Sequence, residues 1–246
     1  MDLKSAIAYL LRDSKDMNKN VLLEILKSVF GTKDQDLQKA LHEMIAKKEL
    51  IQSDNSFKAT ARSHRRIPRL EKVKYVIPLW HRRWTVVVFH VAETEKQIRD
   101  QIRYQLRKSG FAVWQNSLWI SPHTLPANLK KYIENHGVEK QVKVFYGILS
   151  SVDEAELIKT VWNTHSLEKE YQEFVKEAKR QFKRLRNMDL ETELRDKALD
   201  LLAKMTEAKY LDIHRSDPKL PRPFLSKNWD GHQAYRIYQQ LDKYLK

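Results

Sequence analysis

Apolar residues recur along this chain at two different spacings. From Trp84 to Val91 they run almost unbroken, and the β-branched and aromatic content predicts a strand buried on both faces. The spacing then lengthens. Ile98, Ile102 and Leu106 stand four apart, with Arg99, Arg103 and Lys108 on other faces, which predicts an amphipathic helix. Thr94-Glu95-Lys96-Gln97 has the form of a capping box at its start, and Gly110 supplies the stop. Phe111 to Trp114 and Leu118 to Ser121 read as short strands around Gln115-Asn116-Ser117. A helix from Leu125 to His136, closed by Gly137, and a strand from Val142 to Tyr146 follow. The predicted order is β-α-β-β-α-β, the split arrangement of ferredoxin-like folds.

The N-terminal region carries a different pattern. Leu3, Ile7, Leu10 and Leu11 form one helical stripe, and Val21, Leu22, Ile25, Leu26, Val29 and Phe30 a second that Gly31 ends. Thr32-Lys33-Asp34-Gln35 again has the form of a capping box. The helix it opens runs to about Lys48 and buries Leu37, Ala40, Leu41, Met44 and Ile45. Two helices across a short Gly-containing turn are a helix-turn-helix signature. Leu50-Ile51-Gln52 and Ser56-Phe57-Lys58 then predict a hairpin, so that three helices and a hairpin make a winged helix. After Tyr146 the chain turns helical, over 154–164, 167–187 and 190–210. A Pro-punctuated loop at 217–225 and a last helix bearing Ala234, Ile237, Tyr238, Leu241 and Leu245 complete it. The expected class is α+β, in four segments. These are a winged-helix DNA-binding domain (1–62), a basic linker (63–83), a ferredoxin-like dimerisation domain (84–150) and a helical C-terminal domain suited to effector sensing (151–246).

Charge sharpens this picture. The 246 residues carry a formal net charge of +14, which favours a polyanionic partner. Nine Lys or Arg against the single acid Glu71 lie between Lys58 and Arg83, more than half of the excess. A concentration of this kind argues for a docking surface rather than diffuse solubility. In a winged helix the helix after Lys33 enters the major groove. Gln35, Gln38, Lys39 and His42 lie off its apolar stripe and are the candidate base readers; Gln pairs with adenine, and Lys reaches guanine or phosphate. Lys33, Lys48, Lys58, Arg62, Arg65 and Arg66 are the candidate phosphate contacts. Asp34 and Asp36 oppose a phosphate backbone but suit the positive end of the helix dipole.

The chain has no cysteine, which excludes disulfides, thiolate metal sites and a cysteine nucleophile. The start of the chain lacks a signal-peptide core and no run approaches membrane-spanning length, so the expected setting is the cytoplasm without membrane attachment. Gly-x-Ser-x-Gly, Walker and Gly-x-Gly-x-x-Gly motifs are missing, and the His42-Glu43 pair meets Ala46 where a metalloprotease needs its second His. No catalytic residue, metal ligand or cofactor is expected.

Three stretches together resemble the PaaX-type transcriptional repressors of bacterial aromatic-acid catabolism. They are the winged-helix pattern, the segment from Trp84-Thr85-Val86-Val87-Val88-Phe89 through Leu118-Trp119-Ile120-Ser121-Pro122, and a tail. The tail comprises Trp162, Leu167, Tyr171, Phe174, Asp217-Pro218, Leu220-Pro221, Leu225 and Trp229-Asp230-Gly231-His232-Gln233-Ala234. The resemblance implies a homodimeric repressor on double-stranded DNA, released by a small effector of the acyl-CoA thioester class. Phe224-Leu225-Ser226 and Thr206-Glu207-Ala208-Lys209-Tyr210 depart from the family pattern, the second in what the resemblance marks as an effector region. The effector-binding residues therefore stay unassigned. The middle segment also resembles the small CRISPR adaptation nuclease, whose first strand ends in a metal-binding aspartate. His90 stands there in this chain, and Mg²⁺ wants carboxylate oxygens rather than imidazole, which weighs against the alternative of a metal-dependent nuclease. Of the aromatics, Trp80, Trp114, Trp119 and Trp229 are candidates for core packing or for lining a pocket.

Overall fold

A computed structural model describes residues 1–12, 16–115, 117–150 and 152–245. Asn116, in the turn expected between the two short strands, lies outside the described residues. The fold is mixed α and β, with two antiparallel sheets among the described residues. The chain divides into two compact units. One comprises residues 1–73, 172–212 and 230–246, the other 74–171 and 213–229, so the C-terminal third contributes to both.

In the first unit, α1 (Leu3–Leu10) begins where the Asp2 carboxylate accepts from Ser5 N–H. A two-residue strand β1 (Met17–Asn18) leads into α2 (Lys19–Phe30), which the Asn18 side chain caps and Gly31 ends in the left-handed conformation. Next come α3 (Asp34–Ala46) and the hairpin β2 (Leu50–Ser53) and β3 (Ser56–Ala59). Leu50 faces Ala59 and Ser53 faces Ser56, while β1 adds to the far side of β3. Ile7, Leu11, Leu22, Leu26, Leu37, Leu41 and Met44 are buried in one core. Phe182 and Leu185 of α7 (Thr164–Arg186), and Ala198, Leu201 and Leu202 of α8 (Thr192–Ser216), share it. Arg184 donates to the Ser28 and Val29 carbonyls at 2.8 Å each, satisfying orphan acceptors at the end of α2. The unit also includes α9 (Gly231–Gln240).

The second unit is built on β4 (Trp84–Phe89), α4 (Lys96–Lys108), β5 (Ala112–Gln115), β6 (Leu118–Ser121), α5 (Ala127–Asn135) and β7 (Val142–Gly147). The strands lie in the order β5-β6-β4-β7, all neighbours antiparallel. β4 is therefore central, as its unbroken apolar run demands. One face of the sheet buries Val87, Phe89 and Trp119 with Ile102, Leu106, Leu129 and Ile133. The other buries Trp84 and Ile120 with Leu157 and Ile158 of α6 (Glu154–Trp162) and with Leu220.

Neither expected capping box forms. α3 starts at Asp34 with Lys33 as its N-cap, and the Thr32 hydroxyl is buried without a hydrogen bond. α4 starts at Lys96 after a 3₁₀ turn (Glu93–Glu95) and likewise lacks a side-chain cap. α8 also continues to Ser216, past the expected end near Tyr210, because Leu211 and Ile213 remain buried.

Candidate nucleic-acid interface

The first unit exposes one face of α3. Burial of Leu37, Ala40, Leu41 and Met44 turns Gln35, Lys39 and His42 outward, with Gln38 half-buried at the edge of the same face. Positions 35, 38, 39 and 42 follow the three- and four-residue spacing of a helix, so these four side chains form a single stripe. The acids of α3 are mostly neutralised. Asp34 pairs with Lys27 at 2.6 Å, and Glu43 pairs with Lys4, whose ammonium holds that carboxyl below the usual carboxylate range. Asp36 is exposed in the first turn.

Cations flank the stripe in sequence on both sides. Lys33 is exposed at the N-cap of α3, Lys48 is exposed in a left-handed turn after it, and Lys58 is exposed on β3. The chain then folds back on itself. The Thr60 N–H and hydroxyl donate to the Glu49 carbonyl at 3.0 and 3.1 Å, and the buried Ser63 hydroxyl donates to the Thr60 carbonyl at 2.7 Å. This anchors the 3₁₀ turn Ser63–Arg66 and leaves Arg62 and Arg65 exposed.

Arg66 is a different case. Its Nε and one terminal nitrogen each donate to the Glu49 carboxylate at 2.8 Å, and this pairing raises the guanidinium pKa further. A bidentate pair occupies the same fork that a phosphate would use. Arg66 therefore holds the turn in place and has less to offer a nucleic acid than Arg62 or Arg65. Its partner could not be inferred from spacing, because the contact across 17 residues exists only once the hairpin has folded.

In the second unit, His90 is exposed just beyond β4, and its backbone N–H donates to the Gln141 carbonyl at 3.1 Å. Glu93 is paired with Arg99. Among the described residues no group of three or more His, Cys, Asp or Glu could hold a metal ion, and no helix is long and apolar enough to cross a membrane. Trp119 and Trp229 are core residues, and Trp80 and Trp114 pack half-buried against the cluster around Trp84.

Two family models match the chain. The model of the PaaX protein central Cas2-like domain matches residues 78–159, and that of the PaaX-like protein C-terminal domain matches residues 162–246. A solved structure titled "Uncharacterized protein Rv0674 from Mycobacterium tuberculosis" is similar over 97% of this chain and 94% of that chain, at 17% sequence identity and a TM-score of 0.49. No curated protein sequence matches the chain.

Proposed function

The chain belongs to the PaaX family, and from that premise we propose that it is a DNA-binding transcriptional repressor, acting as a homodimer on a pseudo-palindromic operator in the cytoplasm, and not an enzyme. The observation that carries the reading is the exposed stripe of α3. It has base-reading residue types, two of the three acids of α3 paired, and unburied cations on both sides in sequence. We read residues 1–62 as a winged helix, with α3 as its recognition helix and the β2–β3 hairpin as its wing. Gln35, Gln38, Lys39 and His42 meet base edges, and Lys33, Lys48, Lys58, Arg62 and Arg65 meet phosphates. Residues 63–83 link this head to a ferredoxin-like dimerisation domain at 84–150, and 151–246 serves effector sensing.

The effector part of this reading has its own support. A cavity of about 350 Å³ in the first unit has Phe182, Ile237 and Leu241 in its lining, together with Lys179, Lys183 and Arg186. Apolar walls beside these and a fourth cation, Lys243, suit an amphiphilic anion, the chemistry of an acyl-CoA thioester. Such a ligand releases the operator only if it binds the DNA-free arrangement more tightly.

The test is fluorescence anisotropy on duplexes from the gene's own upstream region against random duplex, over a range of salt. The expected result is preference for one upstream segment, and Gln38→Ala with His42→Ala removes that preference while leaving non-specific binding in place. Arg62→Ala weakens binding to all duplexes and lowers the salt slope by about 1. Equal affinity for upstream and random duplex would show that the protein binds charge alone.

A further inference from the structure

In the second unit, α4 carries Arg99, Arg103 and Arg107 at successive four-residue intervals. That spacing sets them in one row on one side of the helix, about 12 Å from first to last. The row lines a cavity of about 370 Å³, whose other walls include His90 just beyond β4 and Trp119 of β6. The Arg99 side chain is only 14% exposed. It pairs with Glu93, its Nε lies 4.0 Å from Asp100, and that buried Nε makes no hydrogen bond. Arg103 lies 3.8 Å from Asp100, and the Arg107 guanidinium carbon sits 5.4 Å from the centre of the Trp119 ring. Among the described residues of the lining Glu93 is the one carboxylate.

Three guanidinium groups against two carboxylates, Glu93 in the lining and Asp100 beside the row, leave this recess with excess positive charge. That charge repels a divalent cation and attracts an anion. Guanidinium forks match phosphate oxygens two at a time, and a row of this length accommodates more than one phosphoryl group. We propose that the cavity is a binding site for a small polyphosphate ester, with consecutive phosphoryl groups lying along Arg99, Arg103 and Arg107. The volume of this recess falls in the range of small-ligand pockets, which favours a diffusible ligand over a duplex backbone. The site uses none of the residues assigned to operator binding and stands or falls independently of that reading.

The experiment is isothermal titration of the full chain with pyrophosphate and with orthophosphate at constant ionic strength. Arg103→Ala/Arg107→Ala and Lys33→Ala/Arg62→Ala variants are run alongside, and duplex affinity is measured for each. We expect saturable pyrophosphate binding, at least about tenfold tighter than orthophosphate. It weakens about tenfold or more per arginine removed, the size of a lost charge-assisted hydrogen bond. The Lys33/Arg62 variant keeps pyrophosphate binding and loses duplex affinity. Absence of saturable pyrophosphate binding overturns the proposal, as does unchanged binding in the Arg103/Arg107 variant. Loss of duplex affinity in that variant with pyrophosphate binding intact also overturns it, and makes the row a nucleic-acid contact. Should the alanine variant unfold, Arg103→Lys/Arg107→Lys decides the matter. Ammonium groups lack the fork, so the preference for pyrophosphate over orthophosphate is expected to collapse, and an undiminished preference overturns the site.

Discussion

The Trp229 indole N–H donates to the Tyr75 hydroxyl oxygen at 2.6 Å, joining two buried residues 154 positions apart within the second unit. Tyr171 meets both rings edge-on, at 6.4 and 5.4 Å, and its own hydroxyl donates to Asp217 at 2.8 Å. The other oxygen of Asp217 accepts the Lys219 N–H at 2.7 Å. The Asp217-Pro218 and Trp229 positions of the tail are thus halves of one polar and aromatic knot, closed by Tyr75 from the connector. Removing the acceptor strands a buried donor. Tyr75→Phe is therefore expected to destabilise the protein by about 1–3 kcal/mol, read as a lower urea midpoint at unchanged m-value.

Beside this knot, His214 is held neutral. Burial pushes its imidazole down to about 4, and the adjacent Lys219 ammonium, which donates to the His214 carbonyl, adds to the effect. The folded-state value lies below the unfolded one, near 6.5. The unfolded chain therefore gains the proton first, and the stability tied to neutral His214 is complete above about pH 6.5 and lost as pH falls through about 4. Thermal midpoints of the wild type should fall across that window. His214→Gln should show a shallower fall, and parallel curves for the two proteins would exclude His214 as the source.

Much of the element order was legible because independent signals coincide. Between Trp84 and Gly147 the change from an unbroken apolar run to fourfold spacing, and the glycines at 110 and 137, mark boundaries that agree with the observed elements within a few residues. The outward stripe of α3 was legible for the same reason, since 3.6-residue periodicity assigns faces once the apolar positions are known. Capping was not. Thr32 and Thr94 have the right neighbours, but whether a hydroxyl turns back to a helix depends on the approach of the preceding chain. Partners distant in sequence were equally hidden. Arg66 looks like any other cation of its basic stretch until Glu49 is brought against it, and the arginines of α4 look like an ordinary solvated face until the ends of β4 and β6 are brought beside them.

Two glycines with similar backbone conformations are expected to respond differently to alanine. Gly31 has φ +63, and a Cβ there would find its nearest neighbour, an Arg184 nitrogen, at 3.5 Å, so only the left-handed backbone opposes the change. Gly110 has φ +78, and a Cβ there would lie 2.4 Å from the Pro218 carbonyl oxygen and 2.8 Å from the His123 ring. The Gly110 carbonyl also accepts from the Ser121 hydroxyl and the Trp162 indole, so it cannot move away freely. Gly31→Ala should cost about 1–2 kcal/mol. Gly110→Ala should cost more, about 3 kcal/mol or beyond, because overpacking adds to the same backbone strain. Chemical denaturation of the two variants side by side checks the order, and equal losses would mean that the Pro218 segment yields easily.

The sheet of the second unit has two edges that differ in their capacity to pair. β5 is four residues long and its register with β6 shifts between Val113 and Gln115, an irregularity of the kind that protects an edge. β7 is six residues long and pairs regularly with β4 along one side. Phe145, Tyr146 and Ile148, on or just after it, are 58%, 55% and 79% exposed. A regular edge beside exposed apolar side chains is the surface on which a second copy would extend the sheet, and the proposed homodimer is expected to form there. Sedimentation equilibrium should then find the wild type dimeric at micromolar concentration, and Phe145→Lys/Ile148→Lys monomeric with its circular dichroism unchanged. Two reading heads held by one dimer bind two half-sites as a unit, so the monomeric variant should keep weak half-site binding and lose most of its affinity for the full operator. A variant that remains dimeric would move the interface away from β7, and a wild type that is monomeric while binding a palindrome tightly would remove the dimer from the mechanism.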